Sequence, residues 1–431
     1  MYLRLQRRWS MEHSAPTALI VACEYSIGLS RLPKVLSLAG CRVTVLGPAH
    51  ALAGRSCYTD EFIETGTEPR EVMAALRTHL DEVPPYDFVT LGDDCAMLAI
   101  AEHWDKPWVK DWLPVEKTAD AISIATSKLA FGDAMLAAGA AYPKSLKAST
   151  LEEASTAAVQ LGYPVLLKAA HGYLGSFVRI VEDPTQLASA FAELIPTGPL
   201  QVQKFIDGQV GCTASLYDRG ELVAYTASFK SECYPAKTGG SCVREFIHHP
   251  DMESICRQAG HITGYHGFAG VDWILDRDGK LHVIEFNARP IPGYHFDRSV
   301  TGVDFSAAFA AMIAGQKRPL PQPKPGGRVY MFPQHLLRCT SERDWRGLVH
   351  YLPLCGKKDL PWDDFALLVE PVRKKLVKFF GSRGTTVAGA AGRGDELKHS
   401  AAHAAAMPQV ESHGDVFRAF ESLGQGWTSQ R

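Results

Sequence analysis

The sequence predicts a mixed α/β and α+β chain, on three observations. It opens with an apolar run, a helix-like segment and a second apolar run, which is the βαβ start of a parallel sheet. From Tyr163 to Arg289 short β-rich runs alternate with Gly-containing turns, as in paired strands. After Gly315 the texture turns Pro- and Gly-rich and then helical. The 431 residues leave room for two or three domains, and 46% hydrophobic with 21% charged residues is ordinary globular composition.

Met1 to Ser10 holds Arg4, Arg7 and Arg8 but no long apolar core, so a flexible or transit-type tail is expected over 1–15 rather than a secretory signal. Ala18–Cys23 reads as the first strand, Leu29–Ala39 as a helix, and Cys41–Leu46 as the second strand, ending at Gly47-Pro48. No Gly-x-Gly-x-x-Gly follows the first strand, so dinucleotide binding is not indicated. Phe88–Leu91 is a later strand running into Gly92-Asp93-Asp94. Ligands of such sheets lie beyond the carboxyl ends of the strands, so Asp93 and Asp94 either border a cleft or cap the next helix. Thr126-Ser127-Lys128 opens a helix through Ala137 that Gly139 stops. Strands follow at Tyr163–Lys168, Ser176–Val181 and Leu200–Ile206, and a hairpin at Ala214–Tyr217 and Leu222–Ala227. Helices are expected at Met252–Tyr265, Phe305–Ala314, Ser341–Tyr351 and Phe365–Phe380. Few large apolar residues follow Gly381, so most of 381–431 is expected to be disordered.

A net charge of −2 argues against a general nucleic-acid or anionic-membrane binder, and no run reaches the length of a membrane span. Ten cysteines without a Cys-x-x-Cys pair read as reduced, cytoplasmic thiols. A zinc-binding His-Glu-x-x-His and a serine-hydrolase Gly-x-Ser-x-Gly are both absent from the sequence.

The chemistry concentrates at Asp272 and Glu285-Phe286-Asn287-Ala288-Arg289. Val271–Leu275 and Leu281–Phe286 read as two strands joined by Asp276-Arg277-Asp278-Gly279, which sets Asp272 near Glu285. Glu285 and Asn287 are two apart and share a face. Two carboxylates and an amide oxygen suit Mg²⁺ on nucleotide phosphates, and Arg289 on the same side can hold a phosphoryl or carboxylate oxygen with two prongs. An acidic hairpin edge with a solvated Arg is the plainer alternative. Lys168 ends a strand before a Gly-containing turn whose amides can approach the same phosphates. Lys128 is a second candidate cation. Gln203-Lys204-Phe205-Ile206 offers strand backbone to an adenine edge, with side chains alternating between faces. Lys230 and the loop Tyr234–Ser241 form a third basic, Gly-rich element, read either as a cover over phosphates or substrate or as a mobile surface loop. His295, in Pro292-Gly293-Tyr294-His295, is read as structural in preference to substrate-binding.

These pieces together resemble the ATP-grasp superfamily, and its carboxylate–amine (amino-acid) ligase branch in particular. The resemblance covers roughly Ala18 to Gly315. It implies a Rossmann-like pre-ATP-grasp domain at 16–115, a two-subdomain ATP-grasp domain at 116–315 with its lid at about 142–206, and a helical C-terminal extension at 316–380. It also implies ATP with Mg²⁺ or Mn²⁺ as cofactors, small carboxylate and amine substrates, and room for a homodimer. On this likeness Lys128 and Lys168 contact the nucleotide phosphates, Gly172, Gly175 and Ser176 form the phosphate-covering turn, and Gln203 to Ile206 hold adenine. Asp272, Glu285 and Asn287 are the metal ligands on this likeness and Arg289 is the catalytic cation; Lys230, from the basic, Gly-rich element, is a second catalytic candidate read from the residues themselves. The chain departs from the family pattern where Gln209 and Val210 stand near a usual ribose-binding Glu, where Lys204 replaces a usual Glu, and at the bulky Tyr173 and Leu174.

Overall fold

The computed structural model describes residues 15–109, 112–170, 177–234, 240–296, 298–351 and 359–370. The tail at 1–14, the turn at 171–176, the loop at 235–239, and the expected helix beyond 370 with the tail after Gly381 lie outside the described residues.

Three sheets carry the chain. The first is parallel, in the order β3-β2-β1-β4, from β1 (Thr17–Val21), β2 (Arg42–Pro48), β3 (Glu61–Thr65) and β4 (Phe88–Leu91). Leu19 and Val21 enter one core while Ala18 and Ile20 enter another, so β1 is covered on both faces. That is why it reads as a continuous apolar run. Strands β2 and β4 flank β1 and the chain turns back between them, so the carboxyl ends of β1 and β4 frame a crevice. Strand β3 and the helix Pro69–Glu82 were not expected. β3 is an edge strand with exposed glutamates, a weak signal. The helix carried a strong one: Pro69 at its start and a reciprocal Glu68/Glu71 capping box.

The second sheet is antiparallel, in the order β5-β8-β6-β7, from β5 (Ser145–Ala148), β6 (Val165–Ala169), β7 (Val178–Val181) and β8 (Leu200–Lys204). Val165, Leu167, Leu200 and Val202 face a core closed by Leu187 and Phe191. The alternate residues Lys168, Gln201 and Gln203 face the other way. The run Leu200–Ile206, expected as one strand, ends at Lys204.

The third sheet has the order β13-β12-β9-β10-β11-β14, from β9 (Gly208–Asp218), β10 (Glu221–Tyr234), β11 (Gly240–Ile247), β12 (Gly267–Asp276), β13 (Leu281–Asn287) and β14 (Arg328–Tyr330). Its first hairpin turns where Arg219 and Gly220 take left-handed backbone. Tyr217, Tyr225, Trp273 and Phe286 fill one face together with Ile255 and Ala259 of helix Met252–Thr263. Leu216, Ala224 and Phe268 fill the other with Phe305 and Phe309 of helix Phe305–Ile313 and Phe88 of the first sheet.

The helix expected at Ser341–Tyr351 lies earlier in the chain. The structure has a helix at Gln334–Ser341, a left-handed Arg343 that ends it, and a single 3-10 turn at Gly347–Tyr351. Residues 365–370 are helical as expected. The segment 359–370 binds back on the first sheet's helices and loops. Asp364 accepts from the Ser56 hydroxyl at 2.5 Å, Lys34 pairs with Asp363 at 2.7 Å, and Arg55 pairs with Glu370 at 2.9 Å. Among the described residues no helix is long and apolar enough to cross a membrane.

Candidate functional site

Register builds the site row by row. Asn287 stands opposite Gly270 and Gly270 opposite Ala214. The next row reads Glu285, Asp272, Cys212, Ser228, Phe246. Beyond it Lys230 stands opposite Arg244. Residues directly opposite share a face, so Glu285, Asn287, Asp272, Lys230 and Arg244 all project from the face that Leu216 and Phe268 make apolar at its other end. Gly270 is required in this row: a Cβ there would lie 2.8 Å from Ile291, on the chain that folds back over the sheet after Asn287.

Ion pairs cross this face and tie it to the helix beside it. Lys230 Nζ lies 2.6 Å from Asp272 Oδ2, and Lys128 Nζ lies 3.2 Å from Glu285 Oε1. Lys128 is the first residue of helix Lys128–Ala137, which the Ser127 hydroxyl caps by accepting from the Ala130 amide at 3.4 Å. The Lys128 amide donates to the Ala170 carbonyl at 3.0 Å, fixing this helix start beside the end of β6 and Lys168. Lys168 is buried, and burial pushes its pKa down to about 8; Lys128 adds to the drop, while Glu285 and Asp272 oppose it. Burial works against charge on Lys230 too, but the adjacent Asp272 carboxylate outweighs it and holds the pKa above the usual lysine value. Arg289 Nε reaches Asp94 Oδ1 at 2.7 Å, and its Nη2 donates to Asn287 Oδ1 at 3.4 Å.

The structure therefore brings together Lys128, Lys168, Lys230, Asp272, Glu285, Asn287 and Arg289. Gln203 lies on the Lys168 face of the second sheet, fully buried. Its amide nitrogen donates to the Ser145 hydroxyl at 3.0 Å, and its Oε1 has no partner among the described residues. Lys204 is exposed at the strand end, with Phe205 and Ile206 half-buried in the turn beyond. Gly172, Gly175 and Ser176 lie outside the described residues.

Asp93 is a cap. Its Oδ1 accepts from the Ala96 amide at 2.8 Å, and its Oδ2 from the Cys23 and Glu24 amides at 2.8 and 3.0 Å. Asp94 is the partner of Arg289 and lines a cleft with Lys128, Phe131, Glu285 and Asn287. Glu24, on the loop after β1, is pushed up to about 8 by burial and then by Asp93 and Asp94. His295 is structural: its Nε2 lies 2.5 Å from the buried Asp359. Sequence reading missed Glu24, Arg244 and Asp359, because no local pattern marks them.

Among the described residues no group of three or more His, Cys, Asp or Glu is placed to hold a metal ion. A divalent ion would take Asp272, Glu285 and the Asn287 amide oxygen, and complete its shell from a ligand, as Mg²⁺ on phosphates does. The fit is good in donor chemistry and charge. Three lysines and Arg289 stand among the three carboxylates Asp272, Glu285 and Asp94, and the excess of positive charge suits a polyphosphate.

Comparison with known proteins points the same way. Residues 127–208 match the family model for the ATP-binding domain of the carbamoyl-phosphate synthase L chain. The chain is 30% identical over 220 residues to the carbamoyl phosphate synthase large chain of Streptomyces griseus, a match covering 47% of this chain and 19% of that protein. The chain thus spans about a fifth of the length of the curated relatives it matches. In structure it is similar to the ATP-analogue complex of biotin carboxylase from Campylobacter jejuni, with a TM-score of 0.57 and 18% identity over 73% of this chain and 74% of that one. It is likewise similar to an L-amino acid ligase from Bacillus licheniformis, with a TM-score of 0.52 and 18% identity over 72% of this chain and 75% of that one.

Proposed function

We propose that the chain, whose residues 127–208 match the ATP-binding domain model of the carbamoyl-phosphate synthase L chain, is an ATP-grasp enzyme: an ATP-dependent, ADP-forming ligase that joins a small carboxylate to an amine through an acyl phosphate. The observation that carries this reading is the convergence of Lys128, Lys168 and Lys230 on the cross-strand pair Asp272 and Glu285. When bound, a magnesium nucleotide supplies a transferable phosphoryl group, and the residues that would hold it are these five with Asn287. The rest of the work is positioning and charge neutralisation, which needs no protein nucleophile. Lys168 and Lys128 hold phosphate oxygens from the second sheet and the helix start. Lys230 exchanges Asp272 for the transferring group once that carboxylate is taken up. Arg289 offers a planar two-pronged donor to the acyl phosphate, and Asp94 keeps it aimed at the cleft.

The test is release of ADP and phosphate across a panel of amino acids paired with amines, with oxygen-18 in the substrate carboxylate. Label appearing in phosphate supports the acyl phosphate. Release of AMP and pyrophosphate would overturn it in favour of adenylation. The likeness to biotin carboxylase favours a second reading, a carboxylase acting on bicarbonate. ADP release that requires bicarbonate and no other carboxylate would select it.

A further inference from the structure

Arg244 is a buried charge with little compensation among the described residues. It is 5% exposed and sits on β11, three strands from Asp272. Among the described residues its one hydrogen bond runs from Nη1 to the Pro292 carbonyl, at 2.7 Å. Its Nε is buried without an acceptor, and among the described residues no carboxylate lies within ion-pair distance of it. Lys230, directly opposite in register, is a like charge, and its own counter-ion is Asp272. A buried guanidinium with one backbone acceptor is costly unless an anion completes it.

Its surroundings belong to the site already described. Lys230 and Arg244 share the charged end of the sheet face. The chain leaving Asn287 and Arg289 returns past Arg244, so close that a Cβ on Gly293 would lie 3.2 Å from Nη1. The Tyr294 phenol feels both Arg289 and Arg244. The cations nearest Glu285 are Lys128 and Lys168, on the polyphosphate side. Arg244 lies on the opposite side of Lys230, past β10.

We propose that Arg244 is the anchor for the carboxylate of the substrate, holding its oxygens with the guanidinium edge whose Nε has no acceptor among the described residues and presenting them across Lys230 to the phosphoryl group. This rests on the ligase reading and adds the substrate subsite to it. A planar guanidinium fits a carboxylate with two parallel hydrogen bonds, where an ammonium offers one point charge. An oxyanion at this place has two sources, a substrate carboxylate or the terminal phosphate of the nucleotide, and the position beyond Lys230 favours the carboxylate.

The experiment compares wild type, R244K and R244Q by calorimetry, with acetate as the probe on MgADP-loaded protein and with a magnesium complex of a non-hydrolysable ATP analogue. Acetate affinity should fall by about tenfold or more in R244Q and by less in R244K, with analogue affinity kept within about twofold. Parallel loss of both affinities would move Arg244 onto the terminal phosphate and overturn the proposal. Unchanged acetate affinity in R244Q would also overturn it and leave Arg244 as a tie for the Pro292 carbonyl. Should R244Q fail to fold, R244K decides: it keeps the charge but loses the two-pronged geometry, and acetate affinity equal to wild type counts against the subsite. Wild-type protein that binds no nucleotide at all would instead sink the ligase reading.

Discussion

Two ionic clusters flank the chain segment 288–296, and they are built on opposite plans. In one, Asp359 accepts from His295 Nε2 at 2.5 Å and from the Phe332 amide at 3.2 Å, with Arg31 Nη2 3.3 Å away and donating to the Asp359 carbonyl at 2.7 Å. The side chains of Arg31, His295 and Asp359 are 9%, 8% and 3% exposed, so the cluster is sealed. Burial alone would raise the Asp359 pKa, but Arg31 and His295 hold it below the usual carboxylate value. In the other cluster, Glu285 is 29% exposed, Lys230 23% and Arg289 23%, and the Lys128–Glu285 pair lines a cleft together with Asp94 and Asn287. Here cations outnumber carboxylates, and Lys168 is held on the edge of losing its proton. An ion pair by itself thus says little about role. Sealed and balanced charges fasten the C-terminal segment to the first sheet, whereas the open and unbalanced ones are those proposed to hold the nucleotide.

That contrast can be broken at several points, beginning with the largest effect. Glu285→Gln should lower turnover by about a thousandfold, the scale of losing a central electrostatic contact to a transition state, with the melting temperature close to wild type. Turnover at the wild-type rate would remove Glu285 from the chemistry. Asp359→Ala should do the reverse. Breaking one partner from a buried pair costs about 3–5 kcal/mol of stability, readable in a urea titration, while nucleotide affinity of the folded fraction persists. A variant of normal stability with lost nucleotide binding would show that the two clusters are not opposites.

Smaller effects sharpen the picture. Lys168→Ala should weaken nucleotide binding by about ten- to a hundredfold, the value of a charge-assisted contact of about 1.5–3 kcal/mol. Because burial brings the Lys168 pKa down to about 8, the free site loses this charge as pH rises through that value. A bound phosphate restores the ammonium, so nucleotide binding should take up a proton near pH 8 and weaken by roughly tenfold from pH 7 to 9. Calorimetry in two buffers of different ionisation heat reads the proton directly. A flat profile, or the same slope in Lys168→Ala, would place the titration elsewhere.

Much of this was legible in the sequence, and the reason is locality. The hairpin that pairs Asp272 with Glu285 is written in two strand-like runs and a turn, and Lys168 stands next to a Gly-containing turn. Residues two apart on a strand share a face whatever the tertiary fold, so Glu285 and Asn287 could be placed together. What could not be read depends on contacts between distant segments. Lys230 meets Asp272 only once β9 has brought β10 and β12 into one sheet, Arg289 meets Asp94 only where the first and third sheets come together, and Arg31 meets Asp359 only when segment 359–370 returns to the first sheet. Arg244 is conspicuous for having no carboxylate partner among the described residues, which no sequence can display. The misplaced helix at Ser341–Tyr351 had another cause: composition alone did not reveal that Arg343 would turn left-handed and end the helix before it.

The central claim is that the open, over-positive cluster is a magnesium-nucleotide site. Calorimetric titration of the full chain with an ATP analogue, with and without Mg²⁺, tests it most directly. The account predicts one nucleotide bound per chain, much more tightly with Mg²⁺ than without, and weakened in Glu285→Gln. Folded wild-type protein that takes up no nucleotide, or binds it equally with and without Mg²⁺ and equally well in Glu285→Gln, would contradict it.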